Sequence, residues 1–153
     1  YHEALIAIQK IANLCNKTKA GENLVLQIER NRKTYTLPAP LNPKVIYLIW
    51  RKPYMAVGTA TYIHNILTLL GYQNCFLKER YQTITIDQIK ALKPDTIFLS
   101  SEPYPFKTKD IEELKELLPN TECKLVDGEL FSWYGSRLLY TFNQSVFINE
   151  KAT

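Results

Sequence analysis

From residue 44 onward the chain alternates between two rhythms, and that alternation restricts its fold more than any other feature. Lys44-Val45-Ile46-Tyr47-Leu48-Ile49-Trp50, Thr96-Ile97-Phe98-Leu99-Ser100 and Cys123-Lys124-Leu125-Val126-Asp127 are short and apolar, with β-branched residues at their centres. Runs of that kind suit strands buried on both faces. Between them the apolar residues recur at helical spacing. Residues 59–70 place Ile63, Ile66, Leu67 and Leu70 on one face, with Gly71 as the C-terminal stop. Thr85 suits the N-cap of a helix reaching Leu92. Thr108 suits the cap of a helix over 109–118, whose first turn holds Asp110, Glu112 and Glu113. Gln73 to Phe76 reads as a short strand, and Ser132 to about Phe142 as a closing helix. The connections are long enough to return parallel strands to one sheet. The expected fold is α/β: a three-layer α/β/α open parallel sheet, a Rossmann-like lobe with right-handed crossovers, preceded by helices.

The first 43 residues have a different texture. Leu5, Ile8, Ala12 and Cys15 give one apolar helical face, broken at Asn16-Lys17-Thr18. A second helix over about 20–32 sets Leu24 and Ile28 against charge. Pro38, Pro40 and Pro43 then require an extended connector. The chain thus divides into 1–18, 19–43 and 44–153. It starts inside a helix without an initiator Met or a leader, as if cut from a longer parent. At 153 residues with 46% hydrophobic and 22% charged residues, it can bury a core without disulfides or metal. No window of about 18 uninterrupted apolar residues offers a membrane span. Cys15, Cys75 and Cys123 lack metal-site spacing, and His2 and His64 complete no ligand set. The net charge of +4 is dispersed rather than striped, which argues against nucleic acid.

In open α/β sheets, ligands meet the loops beyond the carboxyl ends of the strands. Here those loops are aromatic. The first strand ends in Trp50-Arg51-Lys52-Pro53-Tyr54, the second in Ser101-Glu102-Pro103-Tyr104-Pro105-Phe106, and the third runs through Gly128 to Phe131, Trp133 and Tyr134. Flat rings offer contact area at low entropy cost, and the prolines stiffen two of the loops. The plainer reading is that the rings cap the sheet edge. Catalytic motifs are missing: Val57-Gly58-Thr59 lacks the rest of a phosphate loop, and no Gly-x-Ser-x-Gly elbow occurs. Glu102, Asp127 and Glu129 lie near strand ends but have no partner histidine or metal set.

The stretch from 44 to 142 resembles the C-terminal lobe of helical-backbone periplasmic substrate-binding proteins, which serve ABC importers for iron–siderophore, haem and cobalamin. The resemblance lies in the order of its signals. Trp50 ends a strand; Pro53-Tyr54 leads to Gly58-Thr59; a helix runs into Leu70-Gly71-Tyr72-Gln73-Asn74. Arg80-Tyr81 precedes Ile84-Thr85-Ile86-Asp87-Gln88-Ile89, and Leu92-Lys93-Pro94-Asp95 opens the next strand. Val126-Asp127 then leads to Phe131 and Gly135-Ser136-Arg137. Ser136 and Gln82 stand where the family commonly has proline.

The resemblance implies a binding protein and not an enzyme, and no cofactor. Residues 1–18 become a remnant of the N-terminal lobe, 19–43 the lobe-joining helix and connector, and 44–153 the C-terminal lobe. The implied ligand is a metal chelate such as an iron–siderophore, haem or corrinoid, and the implied partners are ABC permease subunits. The location is periplasmic or extracytoplasmic, with a lipid anchor on the full-length parent as one form of it. Trp50 and Tyr54 would line the cleft, the Arg80-Tyr81 loop would approach from a second side, and Phe131 and Trp133 would flank the ligand. Tyr104 and Phe106 would join that aromatic cluster, and Arg51 could meet carboxylate or phosphate groups. Asp87 matches the family's permease-docking acid; simple helix capping is the other reading. A different class stays open: a doubly wound α/β enzyme using the strand-end carboxylates on a small-molecule or nucleotide substrate. A response-regulator-like domain would want acidic residues where Trp50-Arg51-Lys52 stands.

Overall fold

The computed structural model describes residues 1–37, 42–142 and 146–148. Most of the expected proline-rich connector, residues 38–41, lies outside them. Two helices open the chain, α1 (His2–Leu14) and α2 (Thr18–Thr34), turned at Asn16, whose φ of 54° is one that Asn tolerates. There follow β1 (Lys44–Trp50), β2 (Met55–Val57), α3 (Tyr62–Leu69), β3 (Gln73–Asn74), β4 (Tyr81–Thr83) and α4 (Ile86–Leu92). The remainder is β5 (Thr96–Ser100), α5 (Thr108–Leu117), β6 (Glu122–Val126), α6 (Gly128–Ser132) and α7 (Leu138–Thr141).

The sheet order is β4-β2-β1-β5-β6, with β3 also paired to β1. The core triplet β1, β5 and β6 is parallel, with Leu48 beside Leu99 and Leu99 beside Leu125. Successive strand side chains point to opposite faces. Val45, Tyr47, Phe98 and Val126 meet Ile8 of α1, Ile28 of α2, Ile66 of α3, Leu130 of α6 and Leu138 of α7. Ile46, Leu48, Ile97, Leu99 and Leu125 meet Ile89 of α4 and Leu114 of α5. The expected three layers are present.

Three details differ from the sequence expectation. The sheet is not wholly parallel: β2 folds back antiparallel on β1, and β4 pairs antiparallel with β2. Strands of three residues are too short to show a period. The closing helix expected over 132–142 is confined to α7, with Gly135 at φ 104° before it, and a separate helix, α6, forms over residues read as a loop. Helix α3 starts at Tyr62, where the Thr61 hydroxyl accepts the His64 N–H at 3.1 Å. The preceding residues are held elsewhere: Gly58 N–H donates to the Arg80 carbonyl at 2.7 Å and Thr59 N–H to that of Lys78 at 2.9 Å. A Cβ at Gly58 would fall on the Lys78 carbonyl oxygen, so that crossing requires glycine.

Candidate functional site

Because β1, β5 and β6 are parallel and in register, Trp50, Ser100 and Val126 end along one edge. Buried polar links tie that edge together. The Tyr47 hydroxyl meets the Ser100 hydroxyl at 3.0 Å, and Gly128 N–H donates to Ser101 Oγ at 2.9 Å. Burial pushes the Tyr47 phenol far up, the hydrogen bond to Ser100 opposes this, and the charges of Glu102, Asp127 and Tyr81 add to the rise.

The loop 101–107 holds both tryptophans of the chain. On one side Tyr104 packs edge-on against Trp50, with ring centroids 5.7 Å apart. On the other, Glu102 Oε1 accepts the Trp133 indole N–H at 2.7 Å and the Ser132 hydroxyl at 2.7 Å. The Glu102 stem lies over Gly128, where a Cβ would be 2.6 Å from its Cγ and 2.5 Å from Ser100 Oγ. Trp50 stays 41% and Trp133 53% exposed, although both rings are fixed by neighbours. Tyr134 extends this surface and packs edge-on against Tyr62 at 5.7 Å.

Four of the expected ligand residues are placed otherwise. Arg51 does not face the open edge: its guanidinium pairs with Asp110 and Glu113 of α5. Asp110 is 1% exposed and also accepts the Lys107 N–H at 2.8 Å, which caps α5 in place of the expected Thr108. Tyr54 turns the same way, its hydroxyl 3.5 Å from Glu113. Burial, reinforced by Glu113, raises its phenol. Phe106 is buried beneath Tyr104, ring centroids 4.8 Å apart. Phe131 is fully buried against Tyr47, at 5.0 Å, because residues 128–132 form a helix rather than a loop. That helix turns Phe131 inward and leaves Trp133, just past its end, exposed.

Tyr81 and Arg80 are exposed on the outer strand β4 and in the turn before it. Asp127 caps α6 through the Glu129 N–H at 3.0 Å, and Arg137 reaches Glu129 at 2.7 Å and Asp127 at 3.4 Å. Asp87 lies in the first turn of α4 and is exposed. It is not the cap: Thr85 and Gln88 close a reciprocal capping box, with Thr85 N–H donating to Gln88 Oε1 at 2.9 Å. Among the described residues no group of three or more His, Cys, Asp or Glu side chains is placed to hold a metal, and no helix is long and apolar enough to cross a membrane. In the sequence Glu102 stands only as an acid near a strand end, and its spacing from Trp133 carries no period that would reveal the pair.

Solved structures share this fold. A possible iron-binding periplasmic solute-binding protein from Staphylococcus epidermidis superposes with a TM-score of 0.75 at 16% identity, covering 92% of this chain and 59% of its own. A periplasmic haem-binding protein from Pseudomonas aeruginosa gives 0.70 at 17% identity, covering 90% and 56%. The periplasmic vitamin B12-binding protein of Vibrio cholerae gives 0.68 at 17% identity, also covering 90% and 56%. No protein-family model matches the chain, and no curated sequence does. The chain has the fold of part of these periplasmic binding proteins and spans less than two thirds of each of the three structures.

Proposed function

We propose that the chain is the C-terminal lobe and joining helix of a two-lobed ABC-importer receptor for a metal chelate. Its carboxyl edge forms one wall of the ligand cleft. The observation that carries this reading is the pair of exposed rings, Trp50 and Trp133, held toward the same edge by one loop. Exposed aromatic faces without a catalytic set are what a receptor for a large, partly flat chelate needs. The likeness to iron-, haem- and B12-binding proteins supports the same class of ligand. Tyr104, Tyr134, Tyr81 and Arg80 extend the wall; Arg51, Tyr54, Phe106 and Phe131 support it from behind. In this reading the receptor works outside the cytoplasmic membrane, and Asp87, freed from capping, docks on a cationic residue of the permease.

The chain's only two tryptophans are both on this edge, so intrinsic fluorescence reads it directly. Titration with a ferric hydroxamate, haemin or cobalamin should quench the emission saturably with at least one of them. Substitution of both residues, Trp50→Phe and Trp133→Phe, should weaken binding followed by ligand absorbance. If none of the three chelates binds, the reading fails.

A further inference from the structure

The chelates that such a wall could take differ in the charge on their periphery, and the edge is not indifferent to it. Three arginines belong to the wall and its loops: Arg80, exposed in the turn before β4, and Arg51 and Arg137, which are both engaged. Arg51 is held by Asp110 and Glu113 behind the wall, and Arg137 by Asp127 and Glu129. Neither is free to receive a carboxylate from a ligand. Lys52 and Lys107 are exposed, and no ion pair among the described residues joins either of them to Glu102. Glu102 is the ionisable group bonded directly to an exposed ring. Both of its protein donors, Ser132 Oγ and Trp133 Nε1, converge on Oε1, and no described residue donates to Oε2. The carboxylate beside Trp133 thus keeps an acceptor for something outside the chain.

We propose that Glu102 sets the charge selectivity of this edge, admitting chelates that present ammonium, amide N–H or hydroxyl donors beside Trp133 and disfavouring those that present a carboxylate there. This rests on the receptor reading above. The physical basis is twofold. A hydrogen bond to a charged acceptor is stronger than a neutral one, and a second carboxylate against Glu102 would be repelled while both lose water. Glu102 also holds the indole N–H, so the same residue aims the ring and selects the group that lies beside it.

Two matched pairs isolate the charge. Ferrioxamine B carries a terminal ammonium, and its N-succinyl derivative carries a carboxylate on the same hydroxamate core. Cobalamin carries peripheral amides, and its monocarboxylic acids replace one of them. Binding to the 153-residue chain is measured by tryptophan quenching. The ammonium or amide member of a bound pair should bind about tenfold more tightly. Glu102→Gln keeps an acceptor for Trp133 and removes the charge, so the ratio within the ferrioxamine pair should fall toward one while the variant's emission maximum stays unchanged. Equal or tighter binding of the carboxylate member overturns the inference and leaves the receptor reading standing. An undiminished ferrioxamine preference in Glu102→Gln also overturns it. Binding of none of the four overturns the inference, and binding of neither these nor haemin overturns the receptor reading with it.

Discussion

The clamp behind the wall gives the sharpest energetic test. Asp110 is 1% exposed and the Arg51 side chain 12%, so the pair is shielded from water. Removing Asp110 as Asp110→Ala has two consequences. Helix α5 loses the acceptor for its Lys107 N–H, worth about 1 kcal/mol. Arg51 loses its buried counter-ion, which for a fully buried pair costs about 3–5 kcal/mol. Glu113 remains on the guanidinium and is 43% exposed, so part of that cost is relieved. The expected loss is about 3 kcal/mol in all, a large fraction of the roughly 5–15 kcal/mol that holds a domain together. Urea unfolding with linear extrapolation measures it. The double variant Arg51→Met with Asp110→Ala removes both charges and should recover at least half of the loss, because an unpaired buried charge costs more than no pair. Arg51 directly follows Trp50, the last residue of β1, so the single variant should also shift tryptophan emission. A loss below about 1 kcal/mol in Asp110→Ala, or simple additivity in the double variant, would refute the clamp.

Three further outcomes follow from the same geometry. Gly58→Ala should destabilise the chain by about 1–3 kcal/mol or more, since the added methyl meets the Lys78 carbonyl rather than a movable side chain. Thr85→Ala should cost about 1 kcal/mol while Asp87→Ala stays within about 0.5 kcal/mol, separating the cap from the exposed acid. Burial pushes the Cys75 and Cys123 thiols up to about 11, so at pH 8 iodoacetamide should label exposed Cys15 first. Both folded values lie above the ordinary 9.0. Their contribution to stability is therefore complete below about pH 9 and lost as pH rises toward 11, and thermal melts should fall across that window.

The layers were legible because they rest on periodicity. Val45 to Leu48 and Thr96 to Ser100 are buried on both sides, and so they read as continuous apolar runs. Residues such as Met55-Ala56-Val57 were not legible as a strand, because pairing with β1 and β4, and not their own pattern, makes them one. The carboxyl edge was legible as a place, and Trp50, Tyr104 and Trp133 were found by it. Which ring faces outward was not. Phe131 and Trp133 are two residues apart, and only the end of α6 between them decides that one is core and the other surface. Arg51 looked like a ligand contact because its two carboxylate partners lie about 60 residues away, at Asp110 and Glu113.

The central claim is that ligand meets the carboxyl edge of β1, β5 and β6. The opposite end of the sheet offers a rival, an open hollow of about 610 Å³ lined by Lys90, Lys93, Asp95 and Thr121 among others. Amide chemical-shift mapping of the isotope-labelled chain, titrated with the tightest-binding chelate, distinguishes the two even if one lobe binds weakly. The account predicts shifts, or paramagnetic broadening for an iron chelate, at residues 50–54, 101–107 and 127–137, with the indole N–H of Trp133 among the strongest. Perturbation centred on residues 93–95 and 117–121, with the two indole signals unmoved, would contradict it.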